Sequence, residues 1–242
     1  MKKFVLFAFC TLVLVACDKH DPILPGVRTA IFDTSNIDVK NKTITDLPES
    51  VIATNNTHCP YTQDASNTIW DGERKIFSGF ATPNSVISNQ KPTCDGKYIY
   101  AGLTTGEVVK LNPRTRKILW IADVYRASNL TGGASMVDIV APIIANKNAV
   151  FAGGLGDAFC KINATSGAKQ WCQSISVSEP FIITDNYAFV VGVDNYLYAI
   201  ATSNGDIFWR TEIKQQVAPT YENGTVFVGK MQINAENGKI IK

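Results

Sequence analysis

Three stretches of this chain align with one another, and that repeat constrains the fold more than any other feature. They are GKYIYAGLTTGEVVKLNPRTRKILW (96–120), NAVFAGGLGDAFCKINATSGAKQW (148–171) and NYAFVVGVDNYLYAIATSNGDIFW (186–209). Each opens with an apolar, β-rich run that ends in Gly102, Gly153 or Gly192. A second β run follows to Leu111, Ile162 or Ile200, then a polar turn, then Trp120, Trp171 or Trp209. Pro92, Pro142, Pro180 and Pro219 lead successive units, spaced by 50, 38 and 39 residues. The Pro-led segment, the two runs and the Trp segment make four short strands per unit. Turns such as Asn163-Ala164-Thr165-Ser166-Gly167 and Ala201-Thr202-Ser203-Asn204-Gly205 carry residues that tolerate positive φ. Four antiparallel strands about every 40 residues are the pattern of a propeller blade, and no segment has a helical period. The expected fold is therefore all-β, a small β-propeller of about four four-stranded blades over residues 91–242, with each indole filling the wedge between blades.

The fourth unit starts at Pro219 and reaches Asn234-Ala235-Glu236-Asn237-Gly238, with Lys242 at the position aligned with Trp. Thr68-Ile69-Trp70-Asp71 reads as a lone Trp strand within an N-terminal arm, residues 41–90. Pairing that strand onto the last unit would close the ring and remove two open sheet edges. The competing reading is an open arc.

The first 16 residues have the form of a signal peptide: Lys2 and Lys3, then the apolar run FVLFAFCTLVLVA, too short to span a bilayer. Leu14-Val15-Ala16-Cys17 resembles the lipobox of bacterial lipoproteins, which implies cleavage before Cys17 and a diacylglyceryl anchor on its thiol. Residues 17–40, with Pro22, Pro25 and Gly26, read as a tether. Without Lys2 and Lys3 the acidic and basic side chains balance, which argues against nucleic acid as a partner.

Cys59, Cys94, Cys160 and Cys172 remain after Cys17, and an exported chain permits disulfides. Cys160 and Cys172 flank the turn at Ser166, so antiparallel pairing sets them opposite each other, within a modest adjustment of bonding distance. Cys59 and Cys94 are the remaining pair, and would clip the arm to the first unit.

The turn N-x-x-[TS]-G before a Trp strand resembles the quinoprotein-type blade: residues 163–171 match well, 201–209 carry Ala at the first position, and 112–120 carry Arg116 in place of Gly. With the lipobox, these repeats resemble the BamB family of lipoproteins of the outer-membrane β-barrel assembly machinery. The resemblance covers residues 67–242 and implies a non-catalytic scaffold, lipid-anchored at the outer membrane and facing the periplasm. Asp18, after the lipidated Cys, is an inner-membrane retention signal in enterobacteria and leaves the membrane open. The implied partner is the main barrel-assembly protein (BamA-like), with unfolded β-barrel clients as a second class.

That family docks its partner through a loop just before the Ala-Pro of the next blade, using leucines and an arginine. The matching segment here is Ala122–Val140, an insertion that ends in Ser135-Met136-Val137-Asp138-Ile139-Val140 before Ala141-Pro142. Met136 stands at a family Leu, Val137 stands where the Arg would be, and Arg126 is a substitute for that charge. Arg126, Met136, Val137, Ile139 and Val140 are the expected docking residues. The bland alternative is a loop whose apolar end simply enters the next strand.

The enzyme alternative is a degenerate quinoprotein or ligand-binding propeller. The dehydrogenases of that type use adjacent cysteines, a catalytic Asp and a calcium site. No two cysteines are adjacent here, and Asp157 and Asp194 fall in hairpin turns, where Asp is common without function. Gly153-Gly154-Leu155-Gly156 lacks the spacing and following helix of a dinucleotide fingerprint. His20 and His58 are the only histidines, and no cysteines have metal-site spacing. The sequence thus points to no enzyme, no cofactor and no metal.

Overall fold

The computed structural model describes residues 37–51, 59–82, 91–125 and 137–241, all within the compact unit Thr34–Lys242. Cys17, the signal peptide and most of the tether lie outside the described residues. The described chain contains strands and turns but no helix.

Five antiparallel sheets follow one another in sequence order. The first holds β1 (Thr62–Gln63), β2 (Thr68–Asp71) and β3 (Arg74–Ser78). The second holds β4 (Thr93–Cys94), β5 (Ile99–Gly102), β6 (Glu107–Asn112) and β7 (Lys117–Asp123). The third holds β8 (Ile144–Ala145), β9 (Ala149–Gly153), β10 (Phe159–Asn163) and β11 (Lys169–Gln173), and the fourth β12 (Ile182–Ile183), β13 (Tyr187–Val191), β14 (Tyr196–Ala201) and β15 (Ile207–Glu212). The fifth holds β16 (Thr220–Glu222), β17 (Thr225–Val228) and β18 (Met231–Asn234). Within each sheet the strands pair in chain order, as hairpin-linked blades require.

The core is a series of layers between consecutive sheets. Ile69 and Ile76 meet Ile99 and Val109; Val108 and Trp120 meet Val150 and Ile162. Phe151 and Phe159 meet Val190 and Ile200; Phe189 and Trp209 meet Val226 and Ile233. The second strands of the middle sheets, β5, β9 and β13, are buried at every residue. A strand covered on both faces needs an unbroken apolar run, which is how YIYAG, AVFAG and YAFVV read. In the fifth sheet β17 alternates between half-buried and buried, because only one face is covered.

A Trp–Gly lock joins neighbouring sheets. The indole N–H groups of Trp120, Trp171 and Trp209 donate to the carbonyls of Ala164, Thr202 and Ala235, each at 3.1 Å, in the last hairpin turn of the following sheet. Gly167, Gly205 and Gly238 in those turns lie flat on the same indoles at positive φ. A Cβ there would come within 2.7–2.8 Å of the ring. The repeat that defines the sequence is therefore an interface between sheets as well as a strand pattern.

Trp70 differs from the closing role expected of it. Its strand, β2, pairs with β1 and β3 in a sheet of its own. Its indole N–H donates to Asp64 at 2.9 Å instead of to a following turn. The turn that should have received it, 112–117, carries an exposed Arg116 at φ +57° where the other three carry Gly, which fits the absence of an indole beside it. On the last sheet the position beside β18 is taken by the chain's own end: Ile240 bridges Ile233, and the Ile241 N–H donates to the Gln232 carbonyl at 2.7 Å.

The arm from Ile37 onward, counted with the tether as far as residue 40, already packs on the fold. Val39 bridges Ile207 in parallel, and the N–H groups of Lys40 and Lys42 donate to the carbonyls of Ile207 and Phe208 at 2.8 and 2.9 Å. Ile44 is buried between the fourth and fifth sheets, and its N–H donates to Glu236 at 2.8 Å. The Tyr221 hydroxyl donates to the Pro48 carbonyl at 2.7 Å.

Candidate docking surface

The insertion leaves and re-enters the fold at the tips of the second and third sheets. On the way out, the Val124 N–H donates to the Gly106 carbonyl at 2.7 Å, in the β5–β6 turn. On the way back, the Ile139 N–H donates to Leu103 at 3.2 Å, and Asp138 accepts from the Leu155 N–H at 2.9 Å. Tyr125 and Val137 lie against Gly106, where a Cβ would meet Tyr125 at 2.8 Å and Val137 at 3.0 Å. A Cβ on Gly154 would lie 2.1 Å from the Asp138 carbonyl oxygen. The glycine run 153–156 is thus a seat for the returning stem, which explains it without a phosphate.

The five expected docking residues separate on this geometry. Arg126 and Met136 lie outside the described residues. Ile139 is a core residue, buried between the second and third sheets with Val124 and Ala158. Its side chain is committed to packing, and the apolar V-D-I-V pattern that suggested docking serves strand entry at that position. Val137 and Val140 are half-buried and keep some exposure at the stem.

Both cysteine pairs are bonded: Cys59 to Cys94 with Cα atoms 5.2 Å apart, and Cys160 to Cys172 at 4.1 Å, opposite each other on β10 and β11. The first joins the segment before β1 to β4, so it fixes the first sheet on the second. Trp120 and Trp209 are buried, whereas Trp70 and Trp171 are half-buried.

A polar cleft of about 420 Å³ opens between the third and fourth sheets, at the end opposite the insertion, between the turns at Asn146 and Asp185. Lys161 on its wall donates to the Thr202 carbonyl at 2.9 Å, and burial pushes its ammonium pKa down. Asp157 accepts from the Ser176 hydroxyl at 2.7 Å, which ties the β9–β10 turn to the loop after β11, and Asp194 accepts from the Tyr198 hydroxyl on the strand that follows its own turn. Among the described residues no three His, Cys, Asp or Glu side chains come together in a way that could hold a metal.

Sequence reasoning missed one exposed surface. The outer strand β7 presents Ile118, Leu119 and Ile121 at 48%, 46% and 49% exposure, the largest exposed apolar run on any outer strand among the described residues. Its signal, ILWIA between Lys117 and Asp123, was absorbed by the Trp motif.

The family model described as outer membrane protein assembly factor BamB matches residues 36–211 and 161–241. The crystal structure of BamB from Moraxella catarrhalis is similar with a TM-score of 0.57 at 16% identity, covering 75% of this chain and 56% of that one. Quinohemoprotein alcohol dehydrogenase from Comamonas testosteroni is similar with a TM-score of 0.49 at 12% identity, covering 64% and 34%. The computationally designed Ika8 protein has a TM-score of 0.48 at 12% identity, covering 74% and 52%. No curated protein sequence matches. This chain spans little more than half the length of the Moraxella protein, and likeness at such identity establishes the fold.

Proposed function

The chain belongs to the family described as outer membrane protein assembly factor BamB, and from that premise we propose that it is a non-catalytic scaffold that aids assembly of outer-membrane β-barrel proteins by protein–protein binding. Cys17 anchors it by lipid to the outer membrane, with the propeller facing the periplasm. Its partner is the barrel-assembly protein of that membrane, and unfolded barrel chains are its clients. The observation that carries this reading is the match of the family model across the described fold, from residue 36 to residue 241. The insertion supports it, because its described stems, Val124–Tyr125 and Val137–Ile139, are clamped on the tips of the second and third sheets. Arg126 and Met136 are the contacts assigned to that segment, with Val137 and Val140 at its base.

The test is replacement of residues 126–136 by a short Gly-Ser linker in the full chain, which spares Ile139 and so spares the core. Cross-linking and purification from membranes should recover a barrel-assembly protein with the parent chain and not with the variant, while the β circular dichroism of the two stays the same. Equal recovery with both would remove the insertion from the docking role. Recovery of none with the parent would remove the assembly reading itself.

A further inference from the structure

The last strands of the three four-stranded sheets occupy equivalent places, so they can be compared residue by residue. Ile118, Lys169 and Ile207 pair with Leu111, Ile162 and Ile200, and Leu119, Gln170 and Phe208 occupy the irregularity that follows. In the fourth sheet Ile207 is fully buried and Phe208 half-buried, because the arm at Val39–Lys42 covers them, through one parallel bridge from Val39 to Ile207 and the N–H groups of Lys40 and Lys42 on the carbonyls of Ile207 and Phe208. In the third sheet the equivalents Lys169 and Gln170 are polar and exposed, as an uncovered outer strand should be. The second sheet departs from both patterns. Ile118 and Leu119 have the apolar character of the covered strand, yet no described strand lies along them, and Ile121 extends the patch.

Charge says which segment fits. Where the arm's Lys40, ion-paired with Asp38, also feels the charge of Asp206, which precedes Ile207, the second sheet has Lys117 before Ile118, with Arg114 and Arg116 in the same turn. A lysine-bearing strand such as the arm is therefore repelled at β7, and an acidic one is attracted. We propose that the outer edge of β7 is a strand-addition site. It takes an extended segment of an unfolded barrel client that carries apolar residues at alternate positions and acidic residues where the arm has Lys40 and Lys42. Strand addition supplies main-chain hydrogen bonds, here to the carbonyls of Ile118 and Leu119, and the apolar patch supplies burial. Alternation of apolar and polar residues is also the pattern of barrel strands. This client identity rests on the assembly reading above, whereas the edge itself rests on the comparison of β7 with β15.

The test uses the detergent-solubilised full chain and two fluorescein-labelled peptides. One is residues 37–44, IDVKNKTI; the other is IDVENETI, with both lysines made glutamate. Anisotropy should show IDVENETI binding at least about tenfold more tightly than IDVKNKTI, with the difference shrinking at high salt. The double substitution Ile118→Lys with Leu119→Gln gives β7 the β11 pattern, which this fold already accommodates, and should abolish that binding. Unchanged binding to the double variant, or no binding to the parent, overturns the proposal. So does a parent dimer in sedimentation that the double variant dissolves, since a second copy would then occupy the edge. Peptide binding with no barrel-assembly protein recovered from membranes would keep the edge and sink the assembly reading.

Discussion

At the scale of single residues, the indoles show that one residue type can have two roles in one chain. Trp209 is 4% exposed, donates to Ala235, and has Gly238 flat on its ring. Trp70 is half-buried, and its indole bonds to Asp64 within its own hairpin. Truncating a buried aromatic costs about 3–5 kcal/mol because the surroundings relax only in part. Trp209→Ala should therefore lower the unfolding free energy by that amount in urea titrations, and Trp70→Ala by less than about 2 kcal/mol. Equal losses would mean that Trp70 also joins sheets. Trp70 was misread in the sequence because a Trp in a β-rich run announces a strand, but the hydrogen bond that defines the lock depends on where the next turn lies. Arg116 was the visible clue: the left-handed position had lost its glycine where no indole required it.

At the scale of elements, the middle sheets were legible, and of the first sheet only the strand Thr68–Asp71 was, without its partners. Units with long apolar runs, a glycine turn and Trp repeat because each must present the same surface to its neighbour. The first sheet is built from strands of two, four and five residues, too short for alternation to register. The parallel arm was equally silent, since IDVKNKTI has no counterpart elsewhere in the chain. The first sheet depends instead on a covalent tie. The Cys59–Cys94 bond has a sequence separation of 35, and Cys160–Cys172 one of 12. Chain entropy then assigns about 4 kcal/mol to the first and about 3 kcal/mol to the second, as upper values. Replacing Cys59 and Cys94 by Ser should destabilise more in urea than replacing Cys160 and Cys172. It should also expose the first sheet selectively to limited proteolysis, because Cys160 and Cys172 already sit on paired strands. Preferential nicking of the first sheet in the Cys160/Cys172 variant would contradict this order.

At the scale of the whole described unit, five sheets stacked in sequence behave as a one-dimensional array in which each contacts chiefly its neighbours. The three middle sheets bury both faces, and the terminal two bury one, so opening should begin at the ends. The ends are held differently. The first sheet is tied by the Cys59–Cys94 bond, and the fifth by the arm, through Ile44 in its core layer and Pro48 on Tyr221. Ile44 comes from a segment distant in sequence and fills the layer between the fourth and fifth sheets, so removing its side chain weakens one junction of the array and leaves the others intact. In hydrogen exchange, Ile44→Ala should lower the protection of β16–β18 by about 2–5 kcal/mol of opening free energy, the cost of a buried Ile truncated to Ala. The amides of β5 and of the first sheet should keep their parent rates, because nearest-neighbour coupling fades across two or more intervening interfaces. A uniform drop in all five sheets would instead show that the unit opens only as a whole, and that the arm stabilises every layer equally.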